Sequence, residues 1–262
     1  CSGKWGCAAV PEEAMLAEVR MDLHIHTLLS PCAEVEMIPE LILAVAAQRG
    51  LDLIAITDHN AAGNTQACIE ASYGGSVKVL AGMECETLEG VHVLALFDTA
   101  DQAMELQKFI WASLPDMPNR PEYFGQQMLV TALGEFAGYE DRLLSVSSSE
   151  TLESVVSRIH DLQGLAIPAH VDKTYAGLLG VLGFFPEGLA VDGVEVSPRL
   201  SSPQAVERFG CLAGKSLVHS SDAHRLDEIG QSCCAAWLKS RNIEELKLAL
   251  GGLKGRRLEE NN

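Results

Sequence analysis

The chain has 262 residues, 47% of them hydrophobic and 21% charged, which is enough for one large domain with a core that needs no disulfides. Its 36 acidic residues against 19 basic ones give a formal net charge of −17, which repels phosphate backbones at long range and argues against non-specific nucleic-acid or anionic-membrane binding. Eight scattered cysteines lack the spacing of a disulfide scaffold, and no apolar run has transmembrane length or reads as a signal peptide, so a reducing, cytoplasmic setting is expected.

The first pattern is "RMDLHIHT", starting at Arg20. It reads as a short strand, and strict alternation puts Asp22, His24 and His26 on one face of it. Residues 37–49, "MIPELILAVAAQR", carry apolar side chains at helical spacing, with Gly50 as the stop. "LDLIAITDHN" reads as the next strand and 63–73 as the next helix. "VKVLAGMECE" and "GVHVLALF" read as two strands joined by a tight turn at 88–90. Residues 98–163 break the rhythm and are expected to be mostly helical, interrupted by "SLPDMPNRPEYF". Strand-like "GLAIPAH", "DGVEVS", "KSLVHSSDAH" and "CCAAWLKS" follow, with helices over 202–213 and 243–250. On this pattern 1–19 is an N-terminal extension, 20–252 the domain, and 253–262 a polar tail.

Strands alternating with helices predict an α/β fold with a mostly parallel sheet, and roughly six to eight such units favour a closed or distorted barrel. Working residues then belong at the C-terminal ends of strands. His24, His26, Asp58, His59, Glu84, His170, Asp222 and His224 all satisfy that rule. His92, near the start of its run, satisfies it only if its strand is antiparallel to the preceding one.

Six of the eight histidines fall in these strand-end motifs, interleaved with Asp22, Asp58, Glu84 and Asp222. Buried acids and imidazoles at such density are costly unless paired or bound to cations. Imidazole with carboxylate suits Zn, Mn or Fe(II) rather than Mg or Ca. The group is too large for one tetrahedral ion, which implies two or three, with Glu84 as the natural bridge.

"DLHIHT", "ITDHN", "GMECE" with the following "VHVL", "IPAH" and "SDAH" resemble, in order and spacing, the motifs of the PHP (polymerase and histidinol phosphatase) family. The resemblance covers about residues 20–97 and 164–232. It implies a distorted (β/α)7 barrel, here with the mostly helical 98–163 inserted as a cover over the rim. It also implies two or three divalent ions (Mn, Zn or Fe) and hydrolysis of phosphate esters by a metal-activated water. By motif, His24, His26, Glu84 and Asp222 would hold one ion, Glu84, His92 and His170 a second, and His59 and His224 a third. Asp22 and Asp58 would orient neighbouring imidazoles. Many members carry Asp or His where this chain has Pro31 and Cys32, so Cys32 is either a plain buried thiol or a soft ligand beside His59 and His224.

Asp58 and Lys173, the latter three residues after His170, are the candidate catalytic residues, with Arg199 and Arg225 as further cations. The function expected is a metal-dependent phosphoesterase acting on a small phosphorylated metabolite or nucleotide, with neither nucleic acid nor membrane as a partner. A nuclease working on nucleic-acid ends and a non-catalytic metal-binding regulatory protein are the alternatives.

Overall fold

The computed structural model describes residues 15–259. Most of the expected N-terminal extension, with Cys1 and Cys7, and the last three residues of the tail lie outside the described residues. Strands β1 (Ala17–Ile25), β2 (Leu53–Ile56) and β3 (Lys78–Glu86) run parallel, joined by helices α1 (Pro39–Gln48) and α2 (Thr65–Ala71). Pro39 sits in the first turn of α1, where its missing N–H costs no hydrogen bond. The chain then reverses. β4 (His92–Phe97) is antiparallel to β3, with His92 opposite Glu86, as the position of His92 required.

Residues 98–163 hold α3 (Ala100–Ser113), α4 (Pro121–Phe124), the hairpin β5 (Met128–Val130)–β6 (Phe136–Tyr139) and α5 (Leu152–Asp161). A Thr99/Gln102 capping box starts α3. The hairpin was not foreseen in a segment expected to be mostly helical. β7 (Leu165–Pro168) then pairs antiparallel with β4. After α6 (Leu178–Leu182), β8 (Val194–Val196) and β9 (Leu217–His219) form a parallel pair around α7 (Ser202–Arg208). β10 (Cys234–Leu238) returns antiparallel to β1, and after α8 (Ile243–Leu250) the short β11 (Arg257–Leu258), inside the segment read as a polar tail, pairs with β10. The main sheet has the order β11-β10-β1-β2-β3-β4-β7.

The β8–β9 pair links the two sides of this curled sheet. On the β7 side Asp192 N donates to Ala166 O at 3.0 Å and Val171 N to Glu195 O at 2.9 Å. On the other side β10 pairs with residues 17–21 of β1, and above it His26 N donates to Ala223 O at 2.9 Å and Ala223 N to His24 O at 3.2 Å. The result is a distorted barrel. Inside it Met21, Leu23, Leu53, Leu80, Leu94, Leu96, Leu165 and Ile167 pack with Leu246 and Leu250 of α8. Outside, residues of opposite parity such as Ile54, Val79, Met83 and Val93 pack on the helices. Below the rim the interior is apolar, so the polar residues are confined to its top.

Strict alternation fails at one place in β1. Asp22 lies opposite Ile54 and Ile25 opposite Ile56, three steps on β1 against two on β2. This bulge reverses the parity, leaving Asp22 on the outward face while His24 and His26 turn in above Leu23. The expected single face of Asp22, His24 and His26 is thereby corrected to the histidine pair alone. Among the described residues no helix is long and apolar enough to cross a membrane.

Gly82 sits on the inward face of β3, two residues before Glu84. A Cβ there would lie 2.8 Å from Ile56 O and 3.0 Å from Ala95 O, both backbone atoms of flanking strands. Gly82→Ala should therefore lower stability by about 1–3 kcal/mol, the usual cost of overpacking, seen as a lower urea midpoint at unchanged slope. An unshifted midpoint would mean that the strands part freely at this level.

Candidate metal centre

Strand ends bring the site together at one rim. The bulged end of β1 supplies His24 and His26, the turn after β2 supplies His59, and β3 supplies Glu84. Because β4 is antiparallel, its first residue, His92, reaches the same rim. His170 follows β7, and Asp222 and His224 follow β9. His170 and Asp222 have φ of 30° and 54°, in the left-handed region where non-glycine residues are uncommon and strain gathers at working sites.

Glu84 is at the centre and is buried. Its Oε1 is 2.8 Å from His92 Nδ1, 3.1 Å from His170 Nε2 and 3.4 Å from His24 Nε2. Its Oε2 is 2.9 Å from His59 Nδ1 and 3.4 Å from His26 Nε2. Asp222 Oδ1 is 3.3 Å from both His24 Nε2 and His26 Nε2. His224 stacks on His26, ring centres 4.1 Å apart. Three overlapping triads have ligand atoms within 4.8 Å of one another: His24/His26/Glu84, His59/Glu84/His92 and His26/His59/His224. His170 and Asp222 border them. His160 and His219 lie apart, bonded to Asp192 and Ser202.

Burial alone would raise the Glu84 carboxyl, but His92, His24 and His59 outweigh it and hold the group well below the usual carboxylate range. Asp222 is likewise held down, by His24 and His26 against its desolvation. Burial would depress His24, yet Glu195, Asp222 and Glu84 raise it well above an ordinary histidine. His92 is pushed up to about 9 by Glu84 and Glu86 against the effect of burial. Burial, then the neighbouring His224 and His59, drive His26 well below the ordinary value.

The donors fit divalent cations. His24 Nε2 and His26 Nε2 face each other at 3.1 Å, while His24 Nδ1 is already taken by Glu195 at 3.1 Å and His26 Nδ1 by Ser30 Oγ at 2.9 Å. Partners on both Nδ1 atoms leave the two Nε2 lone pairs pointing at a common space. Glu84 Oε2 and His170 Nδ1 are buried with no hydrogen-bond partner. Nitrogen and carboxylate donors converging at this density are what a borderline divalent ion satisfies.

The supporting residues differ in part from expectation. Asp58 accepts from Thr27 N, Thr27 Oγ1 and Ser30 Oγ, each at 2.7 Å, so it reaches His26 through Ser30 rather than by holding an imidazole. Asp22 accepts from Ser221 N at 3.0 Å and Gly230 N at 2.9 Å, fixing the loop that carries Asp222 and His224. Burial pushes both acids up to about 6 against these hydrogen bonds.

The residue that holds an imidazole directly is Glu195, which sequence reasoning missed. It is buried, and it also accepts from His170 N at 2.9 Å. A lone acid between valines in "GVEVS" was its only signal. Lys173 Nζ is 2.5 Å from Asp222 Oδ2 at the rim. Arg199 is exposed, and Arg225 pairs with Asp227 and Glu228. Cys32 is exposed rather than buried. Desolvation would raise its thiol, but hydrogen bonds with His224 and His59 outweigh that and bring it down to about 6.

None of the curated proteins matches the chain significantly. Among solved structures, it is similar to the lesion-specific endonuclease Q of Pyrococcus furiosus, with a TM-score of 0.69 at 19% identity over 92% of this chain and 58% of that one. The chain thus spans little more than half of endonuclease Q, which has also been seen with a duplex whose abasic lesion lies at the active site. A two-domain protein of Bacteroides vulgatus containing a predicted PHP-like metal-dependent phosphoesterase gives 0.55 at 15% identity, covering all of this chain and 70% of that one. A putative metal-dependent phosphoesterase of Bifidobacterium adolescentis gives 0.52 at 16%, over 78% and 87%. These likenesses concern the fold. The model of the PHP domain matches residues 22–185, most of the barrel and all of its motifs up to His170, and the chain belongs to the PHP domain family.

Proposed function

We propose that this chain is a metal-dependent phosphoesterase that hydrolyses a phosphate ester of a small metabolite or nucleotide, using two or three divalent ions of Mn, Zn or Fe. The observation that carries this reading is Glu84, a buried carboxylate within 3.4 Å of five imidazoles. In the proposal His24, His26, Glu84 and Asp222 hold one ion, Glu84, His92 and His170 a second, and His59 and His224 a third. Cations bound there would supply Lewis-acid charge for phosphoryl oxygens and lower the pKa of water to about 7.

The chain's own residues do the rest. Lys173 places a further cation at the rim for a phosphate oxygen. Glu195, and Asp58 through Ser30, fix the imidazoles in orientation and tautomer, so Asp58 is a positioning residue. Residues 98–163 are tied to the site loops: Trp111 Nε1 donates to Asn60 O at 2.7 Å, Asn60 Nδ2 to Leu144 O at 2.8 Å, and Met128 N to Leu28 O at 3.1 Å. In the proposal this segment shapes the entrance and limits water.

The likeness to endonuclease Q favours a second reading, a nuclease, though one cutting within a strand rather than at the ends first expected, and qualifies the expectation from net charge that nucleic acid is not a substrate. A phosphatase screen over sugar phosphates, mononucleotides and oligonucleotides, with Mn, Fe and Zn supplied separately, decides between them. Phosphate release from the small esters alone is the expected result. Turnover confined to oligonucleotides would replace it with the nuclease, and no turnover with any metal would favour a non-catalytic role.

Glu195→Gln should cost about 10–100-fold in metal affinity or activity, the usual effect of losing a partner behind a ligand. Glu84→Gln should cost more and release metal on dialysis. Equal metal content and turnover in the Glu84 variant would sink the bridging role.

The metal-free protein has its own signature. His92 gains its proton affinity from Glu84, so that contribution to stability is full below pH 6.5 and is lost as pH rises through about 9. The Tm of the chelated protein should fall across this range. The metal-loaded Tm should not, because bound metal already replaces the proton. Parallel curves would contradict metal binding at these imidazoles.

A further inference from the structure

The third triad has a neighbour that the usual donor set lacks. His224 Nδ1 donates to Asp222 O at 2.8 Å and His26 Nδ1 meets Ser30 Oγ at 2.9 Å, so both rings turn their bare Nε2 atoms into the cluster. Beside them Glu84 Oε2 is buried without a hydrogen-bond partner, 2.9 Å from His59 Nδ1. The turn after β1 folds back over this point. Ser30 N donates to Thr27 O at 3.0 Å, Ala33 N to Ser30 O at 2.9 Å, and Glu34 N to His224 O at 2.9 Å. Cys32 is at the top of that turn, on the same cavity wall as His224 and with His59 beside it. A cavity of about 430 Å³, lined among others by Cys32, Ser221, Asp222 and His224, opens the thiol to solvent.

We propose that Cys32 ligates a third cation together with His59 and His224, giving the site one soft sulfur donor beside the nitrogen and oxygen donors around Glu84. This rests on the metal-dependent reading above. Ligation exchanges the thiol proton, which leaves to solvent, for a sulfur–metal bond, and no electrons change hands. A thiolate selects Zn, Fe or Co over Mn and Mg, so one position should accept a narrower range of metals than the other two. The buried thiols of β3 and β10 are poor competitors. Cys85 packs on the outward face of β3, away from Glu84, and burial pushes the Cys234 thiol up to about 12.

Cobalt(II) tests this without recourse to activity, because a thiolate–cobalt bond has a near-ultraviolet charge-transfer band that nitrogen and oxygen ligands do not produce. The purified chain is stripped with chelator, reloaded with Co(II), and its bound cobalt is counted. Wild type and Cys211→Ser, an exposed thiol elsewhere, should show the band. Cys32→Ser should lose it together with one ion per chain. Cys32→Asp, which restores a ligand without sulfur, should recover the ion but not the band, and this separates ligation from misfolding. Cobalt bound in wild type with no band, or a band that survives in Cys32→Ser, overturns the sulfur ligand and leaves the metal-dependent reading intact. No bound cobalt in wild type overturns both.

Discussion

The top of the barrel is organised around one electrostatic constraint, the burial of the Glu84 carboxylate among imidazoles. Moving an isolated carboxylate out of water costs several kcal/mol even after relaxation, and the imidazoles that balance it without metal do so only by holding protons of their own in a buried site, as the raised His24, His59 and His92 show. On the proposed function, charge from bound cations would relieve both problems at once and make the polar cluster tolerable in an otherwise apolar interior. Two irregularities of the sheet serve this arrangement. A parallel β4 would have sent His92 to the opposite end of the barrel. Without the bulge in β1, His24 and His26 would have faced the helices.

A second set of acids works one layer further out, and each grips the loop of a neighbouring strand. Asp58, after β2, accepts from Thr27 N in the loop after β1. Asp22, in β1, accepts from Ser221 N and Gly230 N beyond β9. Glu195, in β8, accepts from His170 N beyond β7, while Asp172 accepts from Ser197 N beyond β8 at 2.7 Å. Around much of the rim, then, the backbone carrying a ligand is fixed by a carboxylate from the next strand. Buried N–H groups need partners anyway, and using acids for them sets the loops without lending a further neutral side chain to the cluster. The left-handed φ at His170 and Asp222 is sustained by this surrounding network.

Most of the site was legible because its residues come in short motifs at strand ends, and strand ends are among the easiest features to find from apolar runs. The antiparallel course of β4 followed from the place of His92 in its run. The facing of Asp22 was not legible, because a bulge is a mismatch between two strands and one strand's alternation cannot reveal it. Glu195 escaped because neither residue two places from it along the strand, Gly193 or Ser197, is an acid or an imidazole. Its partner His24 is 171 positions away in sequence. The hairpin β5–β6 has strands of three and four residues, too short for a period of two to register. β11 owes its pairing to β10 rather than to any pattern of its own.

The acidic surface bears on substrate size as well as on partners. On the proposed function, even two divalent ions carry more positive charge than Glu84 and Asp222 carry negative, so the loaded rim becomes a small positive focus on a chain whose formal charge is −17. A long polyanion approaching that focus brings its remaining phosphates against a chain of net negative charge, and each acid it passes adds repulsion within a Debye length of about 8–10 Å. A compact phosphate ester meets the attraction at the rim and little of the repulsion around it. Lys173, held at 2.5 Å by Asp222, adds its charge at the same focus and not along a track. On the proposed function, the electrostatics thus favour substrates no larger than the rim itself.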